Sequence, residues 1–464
     1  MIEYLRKLGP GLLFAGAAIG VSHLVQSTKA GAEFGFGLIW ALLLCNFFKY
    51  PFFLFGTKYA HATGETLLDG YKRIGNYVLI IYLALSIVTI FTIQAAVTIV
   101  TAGLAIELFG FTSDITTWSG IIILICLLIL IIGKYRLLDN LIKVIIIVLG
   151  ISTIIAVFYA GIKTNISLEI KQIIPSNFEG IIFLVAFMGW MPAPLDVSIW
   201  QSIWTKEKIS LDKKINYKTA LFDFNIGYLS TVVLGICFIG LGAFVMYNSG
   251  ESFSNNGGEF AGQLIKLYTS SLGENMFFLI SIAAFATMFS TTITCLDASP
   301  RAMGKSLNLL GHKQLGGYTF WLILLSVGTF MIFVFLMSEM GSLVKVATIL
   351  SFITAPIYAL LNYSLVISQH MPNKFRISKI MSLYSSIGII VLSSFALWYM
   401  DVYKFILSGG VAPYSIVWSN GVVSGDFIDK YLVTPIFNLM NIILPLIIIY
   451  VIYLHINKFH WKQD

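Results

Sequence analysis

The sequence predicts an all-α integral membrane protein with about twelve transmembrane helices, of which the first and the sixth are discontinuous. Three observations carry that prediction. Hydrophobic residues make up 58% of the 464 residues and charged ones only 11%, a balance that a soluble domain of this size does not tolerate on its surface. The apolar runs reach about 20 residues, enough to cross roughly 30 Å of hydrocarbon as helices, and they lack the ten-residue alternation of outer-membrane barrels. Two of the runs carry helix-weakening residues at their middles, in corresponding places of the two halves: Gly20-Val21-Ser22-His23 and Met191-Pro192-Ala193-Pro194.

Taken in order, the first run (9–31) opens on Gly9-Pro10-Gly11 and breaks at Gly20. The second (36–62) carries Lys49 ahead of Pro51, with Lys58 and His61 near its end; the third (77–108) contains Gln94. Runs 118–133 and 139–161 are separated by Lys134-Tyr135-Arg136, and run 178–205 is broken at Pro192 and Pro194, with Asp196 just beyond. Run 217–247 contains Asp223, and run 274–298 holds Phe289-Ser290-Thr291-Thr292-Ile293-Thr294 and ends on Asp297 beside Arg301. Runs 317–338, 343–368, with Thr348, Thr354 and Pro356, 380–400 and 434–456 complete the set. The stretches 248–273 and 401–432 are polar and Gly/Ser-rich and read as outer loops. The chain reads as a single transmembrane domain.

A net charge of +7 raises the question of an anionic partner, yet its distribution follows membrane orientation. Arg6, Lys7, Lys72, Arg73, Lys134, Arg136, Lys206, Lys208, Lys213 and Lys214 fall on one set of connections, as do Arg301, Lys305, Lys374 and Arg376. The alternate set holds few, among them Lys163, Lys171 and Lys404. The positive-inside rule makes the richer set cytoplasmic, with both termini on that side of the cell membrane. Lipid is the expected partner and nucleic acid is not. The first apolar run lacks a small-residue cleavage pattern and does not read as a signal peptide. Cys45, Cys126, Cys237 and Cys295 all fall within spans and fit no zinc or disulfide spacing. No nucleotide-binding glycine loop and no nucleophile paired with a base is present, so neither an enzyme nor a cofactor is expected.

The paired breaks carry the functional argument. An unwound stretch inside a bilayer leaves carbonyls and amides without partners, at several kcal/mol per group, and survives where it lines a cavity or ligand. Two such breaks in corresponding positions point to a secondary carrier with its site near the midplane.

At these breaks the chain resembles a known family. Gly9-Pro10-Gly11, Ala30-Gly31-Ala32-Glu33-Phe34-Gly35, Thr63-Gly64-Glu65-Thr66-Leu67, Lys134-Tyr135-Arg136, Met191-Pro192 and the Ser/Thr-rich segment 289–294 are similar, in this order and spacing, to the natural resistance-associated macrophage protein (Nramp) family of divalent-metal transporters. The resemblance covers nearly the whole chain. It implies a LeuT-like 5+5 inverted repeat, with 1–161 as the first repeat, 178–368 as the second and 380–456 as two accessory helices. It implies a metal cation as substrate, alternating access, and protons as coupling ions in symport.

The resemblance departs where the chemistry sits. The family's first break reads Asp-Pro-Gly-Asn, with Asp and Asn as metal ligands; aligned on Ala30-Gly31-Ala32, this chain reads Gly20-Val21-Ser22-His23. Met191 stands at the thioether-ligand position and Met188 at the backbone-carbonyl ligand. Ala193 and Ser198 replace two histidines, while Gln94 and Val97 take the places of an acidic pair linked to proton movement. A hard divalent ion in low dielectric needs carboxylate to offset its charge, so His23 with Met191 suits a softer metal. A lone His in a span is more often a hydrogen-bonded core residue than a ligand, and His23 is readable as one.

Two further readings stay open. Free amides at the breaks, with room left by Gly16, Gly20 and Ser22, favour an anionic group, so the solute is a metal ion or a small organic molecule such as an amino acid or carboxylate. Lys29 would attract a carboxylate, pair with Glu33, or snorkel to the surface. The other class is a transport-inactive sensor or scaffold. The candidate substrate-binding residues are therefore Gly20, Ser22, His23, Met188, Met191, Thr348 and Thr354, and Lys29, Gln94, Asp196 and Asp223 are candidates for coupling or gating.

Overall fold

With no water in the hydrocarbon to satisfy peptide groups, an apolar chain closes its hydrogen bonds internally, and helices follow. In a computed structural model the chain is described over residues 8–163, 170–212, 215–247, 257–273, 277–337, 340–407 and 434–458. The first span is α1 (Pro10–Ala18), a π-helical turn (Val21–Ser27) and α2 (Thr28–Phe34). It is followed by α3 (Ile39–Thr63), a short α4 (Leu67–Ile74), α5 (Asn76–Phe109) and α6 (Ile115–Lys163). The second half comprises α7 (Phe178–Trp190), α8 (Val197–Leu211), α9 (Tyr217–Val245), α10 (Gly257–Leu272), α11 (Phe277–Leu309), α12 (Tyr318–Phe335) and α13 (Met340–Ile367). Finally come α14 (Lys379–Leu407) and α15 (Thr434–Lys458).

Among the described residues ten helical stretches are long and apolar enough to cross a membrane. The other two expected spans are the broken α7–α8 pair and α11, whose middle carries Ser290, Thr291, Thr292 and Thr294. Two local expectations differ. Helical backbone runs on between the fourth and fifth spans, because the connecting residues include charges but no proline to interrupt it. The stretch read as an outer loop contains α10, whose Phe260, Ala261, Leu264 and Ile265 are buried. Their i, i+4 spacing is that of an amphipathic helix.

The first span sits at the centre, with most of its side chains buried. Its contact with α9 is made by small residues that let backbones meet. A Cβ at Gly227 would lie 1.9 Å from the Gly11 carbonyl oxygen, and one at Gly242 would lie 2.0 Å from that of Thr28. Both helices are thereby locked along most of their length, the small-residue packing that membrane helices use in place of a hydrophobic drive. Asp223 of α9 ties the entrance of α1, accepting from the Gly9 and Gly11 amides at 2.8 Å each. These are orphan donors of a helix start, and a carboxylate also complements the dipole there.

Candidate binding site at the two helix breaks

The first break is narrow. α1 stops at Ala18 and the chain turns at Ile19 and Gly20 before the π-helical turn begins. The carbonyls set free are taken up by side chains. Thr291 of α11 donates to the Gly16 oxygen at 2.9 Å and lies 3.3 Å from that of Ile19. Ser22 donates to Ala18 at 2.6 Å. His23 Nδ1 lies 2.9 Å from the Ala18 oxygen and 2.8 Å from the Ser22 hydroxyl, and Nε2 lies 3.0 Å from the Thr231 oxygen of α9.

The second break is wide. α7 ends at Trp190, α8 starts at Val197, and residues 191–196 between them are not helical, with a cis Met191–Pro192 bond. Its carbonyls converge on one ammonium. Lys49 Nζ of α3 donates to the oxygens of Met188 and Gly189 at 2.9 Å and of Met191 at 3.0 Å, and lies 3.4 Å from that of Ala193. Lys49 is fully buried. Two of the four oxygens belong to the last turn of α7, the negative end of that helix, where a cation is favoured.

Between the breaks lies a cavity of about 40 Å³, lined by Ala18 and Ser22 on one side, by Trp190, Ala193, Asp196 and Trp200 on the other, and by Thr291 and Cys295 of α11. Ile93 and Val97 of α5 close it. The two breaks touch directly, since the Ser22 hydroxyl lies 3.4 Å from the Pro192 oxygen. Asp196 sits at the N-terminus of α8 and also lines a second recess of about 30 Å³ with Ser351, Thr354 and Tyr358. A carboxylate at that position has the helix dipole behind it. Trp190 is held by a hydrogen bond of 3.1 Å from its Nε1 to the Ser351 hydroxyl.

The expected site residues distribute as follows. Ser22 and Asp196 face the cavity; Gly20 packs under Thr291, with a built Cβ only 2.6 Å from its methyl. Met188 and Met191 are buried and offer their carbonyls to Lys49. Met188's carbonyl is the one that the resemblance assigns to metal, and here an amine holds it. His23 is not among the cavity-lining residues, and both its nitrogens already face backbone oxygen. Thr354 lines the second recess while donating to Leu350 at 2.7 Å, and Thr348 is buried with its carbonyl against Gly189. Gln94 donates to the Thr292 oxygen at 3.2 Å, and its own Oε1 has no hydrogen-bond partner among the described residues. Lys29 pairs with Glu33 at 3.6 Å. Asp223 is occupied by the amides at the start of α1. Among the described residues no group of three or more His, Cys, Asp and Glu side chains is arranged to hold a metal.

Lys49 is the residue at the second break that sequence reasoning passes over. Its signal is its depth, since an ammonium ten or more residues inside an apolar span needs a partner of comparable strength. Thr291 and Cys295 are visible in the sequence only as part of a polar stretch and as a packing thiol.

Known proteins share this architecture. A model of the natural resistance-associated macrophage protein-like family matches residues 11–400. An uncharacterized protein of Pasteurella multocida, PM0681, is 38% identical over 400 residues, covering 84% of this chain and 90% of its own length. Metal transporter Nramp2 of Oryza sativa subsp. japonica is 26% identical over 322 residues, 67% of this chain and 60% of that protein. Among solved structures, a mutant of the Eremococcus coleocola manganese transporter superimposes with a TM-score of 0.71 at 15% identity, covering 98% of this chain and 95% of that one. At that identity the likeness speaks for the fold.

Proposed function

The chain belongs to the natural resistance-associated macrophage protein-like family, and on that premise we propose that it is a secondary carrier that moves a metal cation across the cell membrane by alternating access, with Asp196 supplying the charge that holds the ion. The observation that carries this reading is the position of Asp196: among the described residues it is the one acidic side chain lining the cavity between the breaks, at the start of α8.

A divalent ion leaves water only where negative charge and oxygen donors replace its hydration shell. The first break lacks a carboxylate, and Asp196 supplies it from the second. Ser22 and Thr291 line the same space. A volume of about 40 Å³ holds about three waters at roughly 10–15 Å³ each, which suits an ion with part of its shell and excludes a solute as large as an amino acid in this conformation. Metal transporters in two of the matched proteins' names support the same substrate class. Protons are the proposed coupling ion, with both termini cytoplasmic and residues 1–161 and 178–368 as the two repeats that rock about the breaks.

The test is uptake of manganese into proteoliposomes holding the full chain. Asp196→Asn is expected to lower the initial rate at least tenfold while leaving the protein folded. Unchanged uptake in that variant would refute the assignment of Asp196. Absence of uptake of manganese, cadmium, zinc and copper(I), together with thermal stabilisation by an amino acid, would refute the metal reading itself.

A further inference from the structure

We propose that Lys49 is a resident cation: its ammonium fills, on a covalent tether, a monovalent-cation site made by the carbonyls of the second break, and so keeps that site from the transported ion. Four backbone oxygens, those of Met188, Gly189, Met191 and Ala193, surround Nζ at 2.9, 2.9, 3.0 and 3.4 Å. An ammonium has three protons, so three oxygens receive a hydrogen bond each and the fourth contributes its dipole. This is ion coordination rather than a directed pair: uncharged carbonyl dipoles from a helix end and an unwound segment point at one centre, as in sites that strip the water from a monovalent ion. An ammonium group and a potassium ion are of similar size, so the same shell accepts either.

Energetics require the occupant. Four carbonyls facing one another without a cation would be mutually repulsive and unsolvated, in a part of the chain where lipid and protein exclude water. Lys49, for its part, is fully buried, and a charge at that depth persists only with compensation. Asp196 lies in the same break, and the Cys45 thiol, one turn before Lys49 on α3, lies 3.6 Å from the Met188 oxygen. Because Ala193 contributes both to the Lys49 shell and to the wall of the cavity, the resident charge adjoins the place where the transported ion is proposed to sit. A second cation is confined to the Asp196 side of Ala193. That last consequence rests on the metal reading; the identity of Lys49 as a cation surrogate does not.

A free cation should then replace the tethered one. Lys49→Ala and Lys49→Gln are prepared as full-length protein in detergent, and thermal unfolding is followed in choline, sodium, potassium and ethylammonium chloride at matched ionic strength, without divalent ions. In the variants the unfolding midpoint is expected to rise by about 5 °C or more from choline to ethylammonium or potassium, and in the native protein to move by less than about 1 °C. A variant recovered only when purified with a small cation supports the proposal equally. Identical behaviour in all four salts, or failure to recover the variants in any of them, overturns it. The assay contains no transported metal, so loss of the manganese result leaves this one readable, and the reverse.

Discussion

The two breaks solve one physical problem in two ways. At the first, two residues leave the helical path and neutral donors close the gap: the Thr291 and Ser22 hydroxyls take up the oxygens of Gly16, Ala18 and Ile19, and the His23 ring, with one N–H to give when neutral, lies between those of Ala18 and Thr231. At the second, residues 191–196 are all non-helical, and a single charged side chain gathers four carbonyls. Neutral donors have fixed directions and can satisfy a tight turn, whereas a wide unwound segment presents more oxygens than local hydroxyls can reach. A cation with no directional preference suits the second case. The difference teaches that broken helices of similar outline can carry unlike electrostatics, one neutral and one positive, with Asp196 as the counter-charge between them.

The largest effect that separates the two breaks is steric. A methyl at Gly189 would stand 2.4 Å from the Thr348 carbonyl oxygen, which is backbone of α13, whereas one at Gly20 would meet the side chain of Thr291 at 2.6 Å. Backbone cannot step aside without moving a helix; a threonine can change rotamer. Gly189→Ala is expected to cost about 3 kcal/mol or more and Gly20→Ala about 1 to 2 kcal/mol, read as unfolding midpoints with a thiol-reactive dye on the four free cysteines. Equal losses would mean that α13 yields as easily as Thr291, and the second break would then be no more rigid than the first.

A smaller effect addresses the neutral donors. Thr291→Val keeps the shape and removes the hydroxyl that serves two carbonyls, so about 1 to 3 kcal/mol is expected. His23→Ala is expected to lose a comparable amount, because its ring bridges the first span to the Thr231 carbonyl. The affinity for the transported ion in an Asp196-dependent assay should change no more than about twofold for His23→Ala, since the ring does not line the cavity. A tenfold loss at His23 with stability intact would move the ion to the first break.

How much of this was legible follows from what sequence encodes. The breaks were readable because Gly20, Pro192 and Pro194 interrupt apolar runs, and the family was readable from motifs spread along the whole chain. Asp196 and Asp223 stood out as acids at membrane depth, but their unlike roles did not. Asp223's partners are amides of Gly9 and Gly11, more than 200 positions away in the chain. Lys49 is the sharper case: its partners are all peptide oxygens, which every residue possesses, so no residue type at 188–193 announces them. His23 drew attention as a metal-binding side chain, and only its surroundings show both nitrogens facing carbonyls. α10 was obscured by the Gly/Ser-rich character of the segment before it, although Phe260, Ala261, Leu264 and Ile265 already carried the helical period.

The smallest expected effect lies far from both breaks and serves as their control. After α3, Glu65 accepts from both Arg73 terminal nitrogens at 2.8 Å, with His370 at 3.6 Å. The Arg73 hydrogen bonds hold the Glu65 carboxyl below its ordinary value of 4.5. A carboxyl whose folded value is depressed contributes stability above the unfolded value, and that contribution is lost as pH falls from about 4.5 downward. Arg73 is 42% exposed, so solvent screening keeps the contribution below about 1 kcal/mol. Glu65→Gln is therefore expected to lower the unfolding midpoint at neutral pH by no more than about 2 °C and to converge with the native protein in acid, which flattens the acid side of the profile. Added salt should shrink the native protein's acid slope in the same way. The cation dependence expected of the Lys49 variants should be untouched by Glu65→Gln, because the two charges belong to separate shells; a Glu65 change that altered it would mean that the second break senses the protein's whole field and not its own four carbonyls.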